Sequence, residues 1–296
     1  MGRPIRVRLE LHHLDQLWWP ELGLRKRDAI AYYDAVSAAL LPHLRARPFT
    51  IKRHYNGPRS PFEWIKDAPP EMPEWIPTAP LPARSRGGAH VDYPLVGSRR
   101  ALLWMIDFGA IDLHVWPSRV DRPDRPDYVL FDLDPAGVDF GDVVRAALLV
   151  REALDALGLE SLVKTTGGDG LHVHVPIARR HTHEQARQFA GTVAWALARA
   201  EPALVTTERS PSKRSGVYVD TKMNGRGQQI VCVYSIRPVP GAPVAMPLRW
   251  NELGDSLDPR QFTPDEALRR LERFGDLFEP LLHGRQRLDV ALRGFV

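Results

Sequence analysis

The sequence predicts an α+β protein in which helices pack on a mixed or antiparallel sheet. Apolar, β-branched runs of strand length alternate with stretches of helical periodicity over residues 128–237. Their order is strand, helix, paired strands, helix, paired strands, which is typical of an α+β core. The 296 residues are 44% hydrophobic and 26% charged, which is the composition of a globular protein with a sizeable core.

The bulk composition narrows the function classes. A formal net charge of +4 permits binding to polyanions without requiring it. The one cysteine, Cys232, lies in the apolar run IVCVYSI, so we expect an inert buried thiol, no disulfide framework and a reducing cytoplasm. No apolar stretch reaches the roughly 18 residues that span a bilayer, and MGRPIRVRLE lacks the apolar core of a signal peptide. We therefore expect a cytoplasmic protein with no membrane partner.

The N-terminal elements begin with a helix over about 28–44, for which Asp28 is the expected N-cap. The proline-dense residues 58–82 are predicted to form short strands and loops over the core, because the stretch keeps several aromatic residues for packing. SRRALLWMIDFGAIDLHVWPSR begins with helical periodicity and ends in an alternating strand, IDLHVW. Asp112 and His114 share one face of that strand.

The second half of the chain continues the alternation of predicted strands and helices. The strand YVLFDLDP precedes a helix over about 139–157, which Asp139 caps. LVKTTGGDGLHVHVPI predicts two strands joined by a glycine turn, and another helix follows over about 182–200. VYVD and IVCVYSI are predicted as strands joined by a turn through Asn224–Gly225. FTPDEALRRLERFGDLFEPLL is predicted as one amphipathic helix.

Two carboxylates interrupt the apolar pattern of YVLFDLDP. Successive strand side chains point to opposite faces, so Asp132 and Asp134 share one face while Phe131 and Leu133 share the other. With Asp220 at the end of VYVD they form an oxygen-rich set that suits divalent metal ions, and two such ions can catalyse phosphoryl transfer. Aspartates between a strand and a helix more often cap the helix or line a generic cleft, and that alternative stays open here.

Several neighbouring features fit a nucleotide site. The turn KTTGGDG offers backbone N–H groups that could cradle phosphate, with the hydroxyls of Thr165 and Thr166 beside it, although a plain hairpin turn is the simpler interpretation. Four cations could hold a triphosphate near the third carboxylate, unless they only form a solvated face: Lys213, Arg214, Arg226 and Arg237.

Histidines and aromatic residues extend the candidate surface. His114, His172 and His174 lie on strands that could face one cleft, where imidazole can contact a sugar hydroxyl or a phosphate. HVH could instead be half of a zinc site, but no third ligand is evident. In KRHYNGPRSPFEWIK, basic residues alternate with aromatic ones, which suits contact with a nucleic-acid backbone and stacking on a base. Phe62 and Trp64 are the stacking candidates, unless they are core residues.

Six ordered motifs resemble the polymerase domain of bacterial ligase D from non-homologous end joining, within the archaeo-eukaryotic primase superfamily. They are LLPHLRARPFTIKR, LLWMIDFGAIDLHVWPSR, YVLFDLDP, VKTTGGDGLHVHVPI, VYVDTKMNGRG and YSIRPVPGAPVAMPLRW. The resemblance covers nearly the whole chain. Because the sequence shows no ligase or nuclease module, it looks like a stand-alone member, similar to the mycobacterial-type primase-polymerases dedicated to gap repair.

The resemblance implies a fold and an activity. The expected fold is a primase-polymerase catalytic core with an RRM-like mixed or antiparallel sheet packed with helices, and a second, N-terminal α/β subdomain. Residues 1–296 are expected to form a single domain, with a DNA-contacting part over about 1–120 and a catalytic part over about 121–296. The expected activity is template-dependent addition of nucleotides, preferentially ribonucleotides, to a primer 3′ end during short-gap repair, with Mn²⁺ or Mg²⁺ as cofactor.

The resemblance also implies catalytic and nucleotide-binding residues. Asp132, Asp134 and Asp220 match the metal-binding triad of the family, and His172 matches its second catalytic motif. The remaining matches are nucleotide contacts. Thr166 and His114 match residues that face the sugar of the nucleotide. Lys52, Arg237 and Arg214 match triphosphate contacts.

The implied partners are gapped or primed DNA, nucleoside triphosphates with NTP preferred over dNTP, and a separate ATP-dependent DNA ligase. Lys26 matches a residue that helps bind the 5′-phosphate of a broken end. The FEWIK segment matches the family's stacking motif, which makes Phe62, Trp64 and Lys66 candidate DNA contacts.

Three positions depart from the family pattern. Asp169 stands in the glycine turn where the family commonly has lysine, so a direct phosphate contact by the turn is in question. Met223 stands where relatives often carry glutamine, which removes a polar contact to the nucleotide. Gln16, in DQLWWP, replaces a lysine that helps bind the 5′-phosphate, so we expect weaker dependence on that phosphate.

Two other function classes remain as alternatives. A non-catalytic nucleic-acid-binding module would bind gapped DNA without turnover, and the intact carboxylate set argues against it. A metal-dependent phosphoesterase would use the same aspartates to degrade the primer, and the cations that match triphosphate contacts favour synthesis instead.

Overall fold

The strand that carries the two carboxylates lies inside a six-stranded mixed sheet. The computed structural model describes residues 9–83 and 86–289. The sheet order is β11-β12-β8-β10-β9-β14, and only the β11/β12 pair is parallel. Its strands are β8 (Tyr128–Ala136), β9 (Leu162–Thr165), β10 (Leu171–Pro176), β11 (Val205–Thr206), β12 (Gly216–Asp220) and β14 (Pro247–Leu248).

One face of this sheet is mainly apolar and receives two helices. The cross-strand register places Phe131 beside Val173, and Leu133 between Leu171 and Val219. All these side chains are buried. The helices α3 (Phe140–Ala156) and α4 (His183–Ala200) contact β8, and their apolar stripes cover this face. The alternate residues of β8, including both aspartates, therefore point to the other side.

A second, four-stranded antiparallel sheet has the order β13-β7-β3-β4. Phe49, Ile51 and Val115 of this sheet are buried in the common core. The opposite face is polar and aromatic, with Lys52 paired to Trp64 and His54 paired to Phe62. The strands are β3 (Phe49–His54), β4 (Phe62–Ile65), β7 (His114–Val115) and β13 (Ile230–Val231).

The remaining elements flank the two sheets. Two small antiparallel pairs are formed by β1 (Leu17–Trp19) with β2 (Leu24–Arg25), and by β5 (Thr78–Pro82) with β6 (His90–Pro94). The other helices are α1 (Lys26–Leu44), α2 (Arg99–Asp107) and α5 (Pro264–Phe274). Within the described residues, no helix is long and apolar enough to cross a membrane. The α+β class with a mixed sheet is thus confirmed.

Three local predictions were wrong. Asp28 is not the N-cap of α1, because the helix begins at Lys26 after Arg25, and the Asp28 carboxylate instead accepts a hydrogen bond from the Arg25 backbone N–H at 2.6 Å. The C-terminal segment is not one helix, since α5 ends at Phe274 and Gly275 turns the chain at φ +68°. A short 3₁₀ turn follows over Glu279–His283.

The third error concerns the strands VYVD and IVCVYSI, which do not form a hairpin. β12 pairs with β8 and β11, whereas β13 pairs with β7 in the other sheet. The buried side chain of Asn224, between β12 and β13, accepts a hydrogen bond from the Leu130 N–H at 2.8 Å and donates to the Leu130 carbonyl at 2.7 Å. This amide docks the connection onto β8, so the chain crosses from one sheet to the other.

Two other local predictions are confirmed. The Asp139 carboxylate accepts from the Asp142 N–H at 3.1 Å and so caps α3. Cys232 is buried, and burial raises the pKa of its thiol to about 12, which keeps it protonated and inert.

Candidate active site

The predicted catalytic residues form a row across the six-stranded sheet. Asp132 lies opposite His172 on one side and opposite Asp220 on the other, and directly opposite residues in a sheet have Cβ atoms about 5 Å apart. Asp134 follows on the same face of β8. The His172 Nε2 lies 3.0 Å from Asp132 Oδ1. We call Asp132, Asp134, Asp220 and His172 the carboxylate wall.

Like charges meet in the carboxylate wall. Burial raises the pKa of Asp132, although Lys164 and Arg237 partly oppose this. Burial also raises the pKa of Asp134, and repulsion by the other two carboxylates raises it further. Burial and the nearby cations hold the pKa of His172 well below its usual range, so the imidazole is neutral. A cation near these carboxylates would therefore relieve both their repulsion and their lost hydration.

The donor chemistry of the carboxylate wall fits a hard divalent ion, because Mg²⁺ and Mn²⁺ prefer carboxylate oxygens. The geometry is not a ready-made cage. Over residues 9–83 and 86–289, no three His, Cys, Asp or Glu side chains lie in an arrangement that could hold a metal ion. The same finding leaves the zinc alternative without support in the described chain, where His174 instead packs against the rings of Tyr128 and Phe278.

A second wall is built around one carboxylate that the sequence did not single out as a site residue. Asp112 is fully buried, and its Oδ2 lies 3.0 Å from Lys52 Nζ and 2.9 Å from His114 Nε2. The His54 Nε2 lies 3.7 Å from Asp112 Oδ1. We call Lys52, His54, Asp112 and His114 the basic wall.

Electrostatics make Asp112 a permanent anion. Burial alone would raise the pKa of this carboxyl, but the hydrogen bond from His114, the nearby His54 ring and the charge of Lys52 together hold it well below its usual range. The predicted triphosphate contact Lys52 and the predicted sugar contact His114 thus share one acceptor. The only sequence signal for this role was an aspartate placed two residues before His114 on the same strand face.

Arg237 links the glycine turn that follows β9 to the basic wall. Its Nη1 donates to the Thr166 carbonyl oxygen, at the end of β9 in the six-stranded sheet, at 2.9 Å. Its Nε lies 3.8 Å from Asp112 Oδ2 in the basic wall. A Cβ at Gly167 would collide with the Arg237 side chain, so this glycine allows the guanidinium to lie between the sheets. The guanidinium therefore spans from the end of β9 to Asp112, and its predicted triphosphate contact stays a prediction.

The glycine turn is tightly packed, and the hydroxyl of Thr166 beside it is hydrogen-bonded to the backbone of the turn. Thr166 Oγ1 donates to the Gly170 carbonyl at 3.2 Å and accepts from the N–H groups of Gly168 at 3.2 Å and Gly170 at 3.3 Å. A hydroxyl has one proton and two lone pairs, so these three bonds fill it. Asp169, the acidic departure in this turn, lies 3.6 Å from Arg260 Nη2 at the surface.

Arg214 lies just before β12, the strand that ends at Asp220. Its guanidinium stacks on the Tyr218 ring, 3.5 Å from the centroid, and Tyr218 is the cross-strand partner of Asp134. Its Nε and Nη2 donate to the backbone carbonyls of Glu208 and Arg209 at 3.0 and 3.2 Å. The positive charge of Arg214 lowers the pKa of Asp134 against the larger opposing effects.

The candidate stacking residues are exposed to solvent rather than buried. Phe62 and Trp64 are 49% and 44% exposed, lie on the same face of β4, and have ring centroids 6.0 Å apart. Lys52 Nζ lies 4.4 Å from the Phe62 ring centroid and 5.8 Å from that of Trp64. The Trp64 ring meets the His114 ring edge-on at 4.9 Å. The interpretation of these two aromatics as core residues is therefore wrong.

A cavity of about 350 Å³ opens beside the basic wall. Trp64, Lys66 and His114 line it, together with Trp116 and Gln228. It does not include the three carboxylates. The predicted DNA contact Lys66 and the predicted sugar contact His114 thus face a common space.

The predicted 5′-phosphate region is partly closed by internal contacts. Lys26 is buried, and its Nζ lies 2.8 Å from Asp107 Oδ1 and 2.7 Å from the Asp107 carbonyl oxygen. The Gln16 side-chain oxygen accepts from Trp18 Nε1 at 3.1 Å. Gln16 also lines an open groove with Tyr55 and Asn56.

Sequence reasoning also missed Lys164, the cross-strand partner of His172. Lys164 is buried, and burial, with the charge of Arg237, lowers the pKa of its ammonium to about 7. Its Nζ donates to the Thr165 carbonyl at 3.2 Å. A lysine between apolar residues of a short strand was the one signal in the sequence.

Comparisons with known proteins identify the family. Residues 25–278 match the family described as LigD, primase-polymerase domain. The chain is 33% identical over 291 residues to the multifunctional non-homologous end joining DNA repair protein LigD of Mycobacterium tuberculosis, covering 95% of this chain and 38% of that protein. It is 32% identical to the bifunctional non-homologous end joining protein LigD of Bacillus subtilis, over 93% of this chain and 44% of that protein.

The fold comparison gives the same relationship. The polymerase domain of Mycobacterium tuberculosis ligase D, solved in complex with DNA, matches with a TM-score of 0.87 and 33% identity, over 94% of this chain and 99% of that domain. The chain spans less than half the length of the curated LigD relatives it matches.

Proposed function

Because this chain belongs to the LigD primase-polymerase domain family, we propose that it extends a primer strand across short gaps in DNA, with ribonucleotides as the preferred substrate. Membership of the family makes it an enzyme of the nucleotidyltransferase type. The observation that carries the proposal is the arrangement around Arg237, which contacts Asp112 of the basic wall and the Thr166 carbonyl of the sheet that holds the carboxylates.

In the proposed reaction the primer 3′-oxygen attacks the α-phosphorus of the incoming nucleotide. A bond forms between that oxygen and the phosphorus, the hydroxyl proton passes to solvent, the bond to the bridging oxygen of the β-phosphate breaks, and pyrophosphate leaves. Divalent ions held by Asp132, Asp134 and Asp220 would lower the pKa of the attacking hydroxyl and stabilise the leaving group. His172, neutral and 3.0 Å from Asp132, fixes the orientation of that carboxylate.

The basic wall would bind the nucleotide in this scheme. Lys52 and Arg237 supply positive charge to the triphosphate, and the planar guanidinium can hold two phosphate oxygens at once. Arg214, stacked on Tyr218, supplies further charge near Asp134. Phe62 and Trp64 offer exposed ring faces to the template bases, and Lys66 lines the cavity beside Trp64.

The proposal is tested by extension of a labelled primer on a short gapped duplex, with NTPs and dNTPs offered separately and with Mn²⁺ or Mg²⁺. The Asp132→Asn/Asp134→Asn variant should lose incorporation by about a thousandfold or more, which corresponds to about 4 kcal/mol of transition-state stabilisation, while gapped DNA still binds. Asp155→Asn, on the exposed surface of α3, is the matched control and should retain full activity.

Each other result has a defined meaning. Primer shortening in place of extension would indicate a phosphoesterase, and binding without turnover would indicate a non-catalytic module. Extension that survives the double substitution would remove the carboxylate wall from the mechanism.

We further propose that dependence on a downstream 5′-phosphate is reduced, because Gln16 is neutral and its oxygen is bonded to Trp18, and Lys26 is already paired with Asp107. Extension rates on gapped DNA with and without that phosphate should differ little, and Gln16→Lys should increase the difference. A strong phosphate dependence in the unmodified protein would contradict this. A separate DNA ligase is the proposed partner that seals the filled gap.

A further inference from the structure

The imidazole of His114 presents two different nitrogens. Nε2 lies 2.9 Å from Asp112 Oδ2, whereas Nδ1 is buried and has no hydrogen-bond partner among the described residues. The ring itself lies nine-tenths out of contact with solvent, with 8% exposure, and borders the 350 Å³ cavity beside Trp64. A buried polar atom without a partner costs free energy, so Nδ1 is a position from which a ligand can be recognised.

The single proton of a neutral imidazole is placed by its neighbours. Burial lowers the pKa of His114 despite the opposing effect of Asp112, so the ring carries one proton near neutral pH. An ionised carboxylate only accepts hydrogen bonds, and Asp112 is held ionised by the groups around it. The proton must therefore lie on Nε2, which leaves a lone pair on Nδ1.

We propose that Asp112 is a positioning residue that fixes His114 as the Nε2–H tautomer, so that Nδ1 accepts a hydrogen bond from the sugar of the incoming nucleotide. The inference rests on the proposed function, in which His114 faces that sugar. It specifies the chemistry of selection: the sugar is recognised because its 2′ group donates a proton, not because of its size or pucker.

The other predicted sugar contact does not offer this interaction. The hydroxyl proton of Thr166 is directed at the Gly170 carbonyl, and both of its lone pairs receive backbone N–H groups. The hydroxyl therefore serves the glycine turn. Within the described chain, His114 is the one of the two predicted sugar contacts that has a free acceptor.

The test uses the unaltered protein and four nucleotides that differ only at the 2′ position: hydroxyl, amino, fluoro and hydrogen. Fluorine accepts weakly, cannot donate, and favours the ribose-like sugar pucker. We expect kcat/KM for single-nucleotide addition to group hydroxyl with amino, and fluoro with hydrogen, and the two groups to differ by about tenfold or more, as a hydrogen bond of roughly 1.5 kcal/mol to a buried acceptor would give. Equal use of the fluoro and hydroxyl nucleotides would overturn the inference.

A second measurement does not depend on activity. The ¹⁵N chemical shifts of the His114 ring, assigned by their loss in His114→Gln, should show a protonated Nε2 and a bare Nδ1. The opposite tautomer would overturn the inference. If all four nucleotides fail to react while the ring has the expected tautomer, the proposed polymerase function fails and the proton placement stands.

Two substitutions at Asp112 separate proton placement from charge. Asp112→Asn keeps one oxygen that can accept from Nε2, and it should retain discrimination between the hydroxyl and fluoro nucleotides. Asp112→Leu removes the acceptor and should reduce that discrimination severalfold. Loss of discrimination in Asp112→Asn with the Nε2–H tautomer intact would contradict the assigned role. Where Asp112→Leu does not fold, the nucleotide series and the ¹⁵N spectrum still decide the question.

Discussion

The carboxylate wall and the basic wall hold buried charge in opposite ways. In the carboxylate wall three aspartates share one sheet face, so burial and mutual repulsion raise the pKa of Asp134. In the basic wall Asp112 lies among groups that can be positive, and its pKa is held far below its usual range. The first wall is stabilised by adding a cation from outside, whereas the second is already compensated from within.

This difference suggests that the two walls have different roles in ligand binding. The carboxylate wall gains most from an ion that arrives with the substrate, because its charges have few internal partners. The basic wall holds its side chains in place before any ligand binds, since Lys52 and His114 both bond to Asp112. Preorganised donors of this kind avoid the entropy cost of ordering side chains on binding.

The largest expected effect comes from breaking the basic wall. Asp112→Leu should lower the free energy of unfolding by about 3–5 kcal/mol, because it leaves Lys52 and Arg237 near a buried site without their shared anion. Urea denaturation followed by tryptophan fluorescence measures this. The double variant Asp112→Leu/Lys52→Met should recover part of the loss, since it also removes the unpaired ammonium.

A double variant no more stable than Asp112→Leu alone would show that Lys52 and Asp112 are not energetically coupled. Asp155→Asn, at an exposed position of α3, sets the baseline for loss of a surface carboxylate, which is usually within about 0.5 kcal/mol.

A smaller effect is expected from removing the exposed rings of Phe62 and Trp64, which lie beside the basic wall. Stacking of a base on an exposed ring is worth about 1–3 kcal/mol, so Phe62→Leu and Trp64→Leu should each weaken gapped-DNA binding by about tenfold. Trp195→Leu is the matched control, because Trp195 is also exposed, at 56%, but lies on α4 away from both walls. Fluorescence anisotropy with labelled gapped DNA measures the affinities.

The comparison of the three variants is decisive for this surface. Equal weakening in Trp195→Leu would show that any exposed ring contributes, and an unchanged affinity in both β4 variants would remove the aromatic pair from the DNA interface.

The carboxylate wall could be predicted from sequence because it depends on one local rule. The twofold alternation of a strand places Asp132 and Asp134 on one face, and the flanking apolar residues identify the buried side. His172 follows by the same rule in β10. Only the pairing partner of β12 was mispredicted, because the amide of Asn224 bonds to Leu130, which is 94 residues away in the chain.

The basic wall could not be predicted in the same way. Its contacts join Asp112 to Lys52 across 60 residues and to Arg237 across more than a hundred, and no periodicity relates such positions. Thr166 is a second example of a contact that the sequence does not reveal. Its match to the family suggested a sugar contact, but its hydroxyl makes all its hydrogen bonds to backbone groups of the turn that follows it. Residue type and alignment identified these side chains, but their partners required the folded chain.

The smallest expected effect is a change in unfolding temperature when one aspartate of the carboxylate wall is neutralised. Because burial and repulsion raise the pKa of Asp134, its ionised form opposes folding. The stabilising contribution of the protonated form is present at low pH and is lost as the pH rises through the raised folded-state pKa. In a chelator at pH 8, Asp134→Asn should therefore unfold at a temperature about 2–4 °C higher than the unaltered protein, as on the order of 1 kcal/mol would give, and the gap should shrink toward pH 4.

Added Mn²⁺ should reverse this ranking. An ion that binds only the folded protein raises the unfolding temperature, and the full set of carboxylates should gain more from it than the variant with one fewer charge. Asp169→Asn, which alters a surface carboxylate paired with Arg260, should show neither the gain in chelator nor the weaker response to Mn²⁺. A variant that is less stable than the unaltered protein in chelator at pH 8 would mean that the carboxylate wall is compensated internally, as the basic wall is.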